Sequence, residues 1–145
     1  MKHTLLFLLM ICACTLQATA TGKQPRLTDD ELMTLVQKQT FRYFWDFAHP
    51  ESGLARERSN DRLEIATIGG SGFGVMAIIV GVERGFITRE QGAERLLKIV
   101  EFLNKADSYH GIWAHWMDGA TGKTIPFSRK DDGADLVESA FMFEG

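Results

Sequence analysis

Only two cysteines occur in this chain, Cys12 and Cys14, and both lie within the first twenty residues. Beyond that point no disulfide can form within the chain, so whatever folds there is stabilised by burial. Runs of like charge, low-complexity tracts and internal repeats are also absent, and the formal net charge is −3. That balance excludes partners that need a basic face, so no nucleic acid and no anionic lipid surface is expected. The apolar run Leu5–Ile11 is too short to cross a bilayer as a helix.

What is present begins with an export signal over residues 1–20, where Lys2 and His3 precede that apolar run. Two processing readings stand open. Ala18-Thr19-Ala20 fits ordinary signal peptidase cleavage and release into the periplasm. Ile11-Cys12-Ala13-Cys14 fits a lipobox, with Cys14 lipidated and the protein anchored to the outer membrane. Residues 21–27 read as a linker and 28–145 as one compositional block.

Helical signals dominate that block. Thr28-Asp-Asp-Glu31 is a capping box, and Leu32, Leu35, Val36, Tyr43 and Phe47 continue one face until Pro50 ends the element. Phe41-Arg-Tyr-Phe-Trp-Asp-Phe47 is aromatic nearly all round, which one partner cannot cover. Phe73–Val82 is apolar on every side, as in an enclosed helix, although a short buried strand has the same pattern. Thr88-Arg-Glu-Gln91 opens a third, one-sided helix through Leu96, Ile99, Val100 and Leu103. Residues 107–130 read as a long loop with a small hairpin, turning at Asp118-Gly119 and Gly122.

A tryptophan-rich loop, Gly111–Asp118, runs toward the carboxylates of Lys130–Glu138. On a helix starting near Asp131, the acids Asp131, Asp135 and Glu138 stand at i, i+4 and i+7 on one stripe, with Leu136, Val137, Ala140 and Phe143 on the other side. Acids gathered beside Tyr109, Trp113, Trp116 and Phe127 are the ingredients of a site that grips and cuts sugar chains.

Plainer roles compete. Asp132 and Asp135 suit an N-cap and a first-turn acid, which leaves Glu138 unexplained, and Asp131 has the strongest capping alternative of the three striped acids. Trp113 and Trp116 suit core or loop anchors. His110 and His115 have no ligand at a metal-like helical spacing, so neither metal nor organic cofactor is expected. Gly69-Gly-Ser-Gly-Phe-Gly74 departs from the dinucleotide spacing, and Gly119-Ala-Thr-Gly-Lys-Thr124 has Met117 where a P-loop needs its first glycine. The glycines of the former suit a loop that approaches a neighbouring helix or a substrate.

The sequence stops at Phe141-Met-Phe-Glu-Gly145 soon after the fourth apolar face begins. Four elements cannot cover the faces already written, so the expectation is the N-terminal piece of a larger helical domain. The ordered run Gln39–Phe47, His49-Pro50, Gly53-Leu54, Arg56, Gly69–Gly74, Gly85–Glu90, His110–Trp116 and Asp131–Glu138 resembles bacterial glucoamylase-like proteins related to glycoside hydrolase family 144, the endo-β-1,2-glucanase type. The resemblance implies an all-α (α/α)6 toroid, of which this chain supplies about four helices. It implies an inverting glycoside hydrolase acting on a β-linked glucan. Asp131, Asp135 and Glu138 then fall at acidic cleft positions, with Trp113, His115, Trp116 and Arg56 lining the same cleft, and the general-acid glutamate falls beyond Gly145. A non-catalytic carbohydrate-binding protein on the same fold is the alternative, since fold alone does not fix function.

Overall fold

A computed structural model describes residues 26–60 and 62–145. The export signal, its cleavage sites and Cys14 lie outside the described residues. Among the described residues seven elements follow in order: α1 (Asp29–Trp45), β1 (Ile65–Thr67), α2 (Ile68–Glu83), α3 (Arg89–Leu103), β2 (Trp116–Asp118), β3 (Thr124–Ile125) and α4 (Leu136–Glu144). The chain divides into two compact units, one ending at Leu32 and the other spanning Met33–Gly145.

In the first unit, the described residues hold the start of α1. The Thr28 amide donates to Glu31 Oε2 at 2.8 Å, and the Glu31 amide donates to Thr28 Oγ1 at 3.3 Å. Both orphan donors are thereby satisfied, as the spacing predicted.

The second unit is built around Phe41, Leu54, Ala66, Ile68, Ile78, Ile87, Ile99, Leu103 and Met117. Residues 73–82 are indeed helical, but α2 begins earlier, at Ile68. The glycine run at 69–74 is therefore its first turns and not a loop. Its glycines admit neighbours at backbone distance: a Cβ on Gly72 would stand 2.1 Å from the Phe141 carbonyl oxygen of α4, and one on Gly81 would stand 2.4 Å from the Phe41 ring. The Thr88 box that caps α3 is complete, and Ile99 and Leu103 are its buried stripe, while Val100 is exposed.

Helices are not the whole fold. A three-stranded antiparallel sheet in the order β1-β2-β3 pairs Ala66 with Met117 and Met117 with Thr124. The all-α expectation is corrected to four helices and a small sheet among the described residues. Strands of two or three residues are too short to show alternation. The buried His49 ring lies against Gly119, and the Gly119 amide donates to the Glu64 carbonyl at 2.7 Å, which seats the hairpin on the body of the unit.

At the hairpin tip Asp118 Oδ1 accepts from the Ala120 amide at 3.1 Å and from the Thr121 amide and hydroxyl at 2.8 Å each. The Thr121 hydroxyl bond is the main cause holding this carboxyl below the usual aspartate range. A depressed folded-state pKa adds stability above the ordinary aspartate pKa, and that stability is lost as pH falls through the folded value. The tip is therefore expected to loosen on acidification, seen as movement of the Ala120 and Thr121 amide resonances. Asp118→Asn should remove that pH response; an unchanged response would assign it to another group.

Helix α4 is turned differently from the simplest reading of its apolar pattern. Ser139 is buried and Met142 joins the core, whereas Leu136, Val137, Phe141 and Phe143 are exposed. Phe73, Met76, Ile79 and Val80 on α2 are exposed too, as are Met33, Leu35 and Val36 on α1. So much bare apolar surface favours association. Size-exclusion chromatography of this chain is expected to show concentration-dependent oligomers, and a cooperative, thermally stable monomer would refute the expectation.

Candidate functional site

The segment before β2 is pinned on both sides. Ile68 at the start of α2 donates its amide to the His115 carbonyl at 3.2 Å, and the Asp135 amide donates to the Trp113 carbonyl at 2.8 Å. Ala114 and Ala134 form an antiparallel bridge between them. Buried Ser139 adds a second tie: its hydroxyl accepts from the Trp113 amide at 3.0 Å and donates to the Trp113 carbonyl at 3.3 Å. These bonds deliver the His115 side chain to the N-terminus of α4.

Helix α4 starts at Leu136, so Asp131 and Asp135 do not share a helical stripe with Glu138. Asp135 is the N-cap: its Oδ1 accepts from the Val137 amide at 2.9 Å and from the Glu138 amide at 3.0 Å. An aspartate that can cap ends the extended segment where it stands, which the i, i+4, i+7 spacing does not reveal. Asp131 sits in a turn, with its carbonyl accepting from the Phe127 amide at 2.8 Å.

The three acids nevertheless converge, through loop geometry and not through one helix. His115 Nδ1 lies 3.2 Å from Asp135 Oδ2, and His115 Nε2 lies 3.9 Å from Glu138 Oε1. Ligand-capable atoms of His115, Asp131 and Asp135 lie within 4.8 Å of one another, close enough to hold a cation or a cluster of hydroxyls. The metal-like grouping that sequence spacing did not show for His115 is thus formed across the fold. Glu138 Oε2 accepts from the Gly69 amide at 2.9 Å, at the N-terminus of α2 where an anion is favoured. A Cβ on Gly69 would meet that oxygen at 2.5 Å.

Aromatic rings wall this group. Phe127 stacks on the His115 ring at 4.2 Å and 26°, and Trp116 lies 4.7 Å from Phe127. Trp113 stands apart as an anchor: it packs on the core and on Phe143, and its Nε1 donates to the Leu103 carbonyl at 3.4 Å. Arg56 is engaged elsewhere, its guanidinium 4.7 Å over the Phe47 ring, and no hydrogen bond or ion pair joins it to the acids among the described residues. Tyr109 is exposed and edge-on to His110. The Gly69 amide and Ser139 are the participants that sequence reasoning missed; both are small residues in apolar helices, and only the close approach of α2 and α4 gives them a role.

Sequence comparison with characterised proteins and comparison with solved structures agree. Over 120 residues the chain is 54% identical to an exo-β-1,2-glucooligosaccharide sophorohydrolase, acting at the non-reducing end, from Parabacteroides distasonis. This chain is homologous to β-1,2-glucanases. The match covers 82% of this chain and 17% of that relative. A structure of an endo-β-1,2-glucanase from Chitinophaga pinensis, in complex with sophorotriose and glucose, is 55% identical with a TM-score of 0.77, covering 81% of this chain and 30% of that one. A proposed glucoamylase from Bacteroides uniformis is 82% identical with a TM-score of 0.81, covering 83% and 30%. No family model matches the chain. The chain therefore spans less than a third of the length of these homologues.

Trp116 carries one further observation within this homologous segment. It is 8% exposed, and among the described residues its buried indole Nε1 has no hydrogen-bond partner. Leaving such a donor unpaired costs about 1–3 kcal/mol, and this cost offsets part of what the ring contributes by packing. Trp116→Phe keeps an aromatic ring and deletes the orphan. The thermal midpoint is expected to move by less than about 5 °C; a larger fall would mean that the indole N–H is paired.

Proposed function

We propose that this chain forms part of a glycoside hydrolase that cleaves β-1,2-linked glucan with inversion, on an (α/α)6 toroid to which it contributes a portion. The observation that carries this reading is the convergence of His115, Asp131 and Asp135, flanked by Glu138 and walled by Phe127 and Trp116. Carboxylates accept from sugar hydroxyls, and aromatic faces cover the apolar faces of the rings. In this reading Asp131, Asp135 and Glu138 line the substrate cleft together with His115 and Trp116. Trp113 and Arg56, expected in the same cleft, instead pack on the core and over the Phe47 ring.

The spacing also limits what these acids do. An inverting pair stands roughly 6.5–9.5 Å apart so that water fits opposite the leaving group, and a retaining pair about 5–5.5 Å apart. Asp131 and Asp135 bring one carboxylate oxygen each to within 4.8 Å, nearer than the carboxyls of an inverting pair stand. In this reading they share one side of the scissile bond, and a further carboxyl supplies the proton for the leaving oxygen. By itself the chain should release no sugar.

The test is to substitute residues 26–145 for the matching segment of the Chitinophaga pinensis endo-β-1,2-glucanase and measure reducing-sugar release. Hydrolysis selective for β-1,2-glucan over β-1,3- and α-1,4-glucans is expected. A folded chimera that binds β-1,2-glucan without cutting it would favour a non-catalytic carbohydrate-binding role instead. Selective cleavage of an α-1,4-glucan would overturn the linkage.

Export directed by residues 1–20 is part of the same proposal, with release into the periplasm or a lipid anchor at Cys14 as the two routes. Mass spectrometry of the mature N-terminus separates them: an unlipidated start at Thr21 removes the anchor.

A further inference from the structure

The three acids differ in how many of their lone pairs are already used. Asp135 has both oxygens engaged, Oδ1 by two backbone amides and Oδ2 by His115 Nδ1 at 3.2 Å. Glu138 has one oxygen fixed by the Gly69 amide, while Oε1 stays 3.9 Å from His115 Nε2, beyond hydrogen-bonding reach. Among the described residues no hydrogen bond or ion pair is made to the Asp131 carboxylate. Its backbone is held all the same, with its amide donating to the Ser128 carbonyl at 3.1 Å in the turn that also presents Phe127 to His115.

The ring's own chemistry follows from these bonds. A carboxylate only accepts, so the proton of the neutral imidazole sits on Nδ1 and points at Asp135. That leaves Nε2 and Glu138 Oε1 as two acceptors facing each other across 3.9 Å, each free to accept from a sugar hydroxyl of its own.

We propose that the acids divide the work: Asp135 is a positioning residue that sets the tautomer and angle of His115, while Asp131 and Glu138 Oε1 are the acceptors that meet the sugar hydroxyls. The division rests on the glucan reading above and deepens it. It makes Asp131 the substrate acceptor, although its place near the expected helix start favoured a capping role. The capping role falls to Asp135.

The experiment is nitrogen-15 NMR of the His115 ring in the whole chain above the histidine titration range, with sophorotriose as the probe ligand. Asp135→Asn and Asp131→Asn are compared with the parent; both substitutions are isosteric, and asparagine caps as well as aspartate does. The parent ring is expected to carry its proton on Nδ1, and Asp131→Asn to leave it there. Asp135→Asn places an amide donor against Nδ1 and should move the proton to Nε2. For sophorotriose, Asp131→Asn should raise Kd at least tenfold and Asp135→Asn by a smaller factor. A proton that stays on Nδ1 in Asp135→Asn, or parental affinity in Asp131→Asn, overturns the division of roles. If the tautomers behave as expected while the parent gives no response to sophorotriose, the glucan reading fails and the positioning of His115 by Asp135 stands.

Discussion

Replacing Gly72 with alanine is expected to unseat α4. The added Cβ would stand 2.1 Å from the Phe141 carbonyl oxygen and 2.9 Å from the Met142 Cα, and main-chain atoms cannot rotate aside as a side-chain tip can. Overpacking of this kind costs typically about 1–3 kcal/mol, and relief requires the two helices to separate. Helix α4 has nine residues and is too short to persist without its partner. Separation would also withdraw Glu138 from the Gly69 amide and Asp135 from His115. A fall in thermal midpoint of about 10 °C or more should result, with loss of hydrogen-exchange protection concentrated in residues 136–144. Gly133→Ala is the control, since an added Cβ there meets nothing within 4 Å among the described residues. Equal melting of the two variants would refute the packing.

The largest effect on activity is expected in the β-1,2-glucanase chimera. Asp131→Asn and Glu138→Gln preserve shape while deleting the charge and one acceptor oxygen of each group. If either group activates water or holds the reacting sugar, kcat/KM should fall about 10²–10⁴-fold, the usual contribution of general acid or base catalysis. Stability should change far less, because the Asp131 side chain caps no helix and glutamine at 138 keeps an acceptor for the Gly69 amide at the start of α2. Asp135→Asn separates two roles in one substitution: asparagine preserves the cap, so any loss of rate reports on the orientation of His115. Activity within a few-fold of the parent in all three variants would mean that the cluster is structural.

The parts that could be read from the amino-acid order are those whose causes are local. The boxes at Thr28 and Thr88 are each written within four residues, and α1 and α3 begin where those residues say. The apolar run of α2 was legible as a helix but not as an exposed one, with Phe73, Met76, Ile79 and Val80 bare, and its glycine-rich first turns looked like a loop because glycine is a poor helix former. What glycine contributes there is the absence of a Cβ opposite Phe141, and the helix that needs that space lies far along the chain. The site was half legible for the same reason. Its residue types stand close together at 113–116 and 131–138, but the joining of the Gly69 amide to Glu138 spans 69 positions. The start of α4 was misplaced because aspartates at 131, 132 and 135 offer competing caps, and only the bridge between Ala114 and Ala134 selects the last.

One carboxylate in this arrangement answers two demands at once. Asp135 closes the end of a helix with one oxygen and steers an imidazole with the other. Serine would satisfy the first demand and leave the ring unguided. Asparagine would satisfy the first and reverse the second, and glutamate, longer by a methylene, is a poor substitute at a cap. Of the side chains that cap well, aspartate alone adds an anionic acceptor for the ring N–H. The start of α4 and the orientation of the His115 ring are thereby set by a single residue.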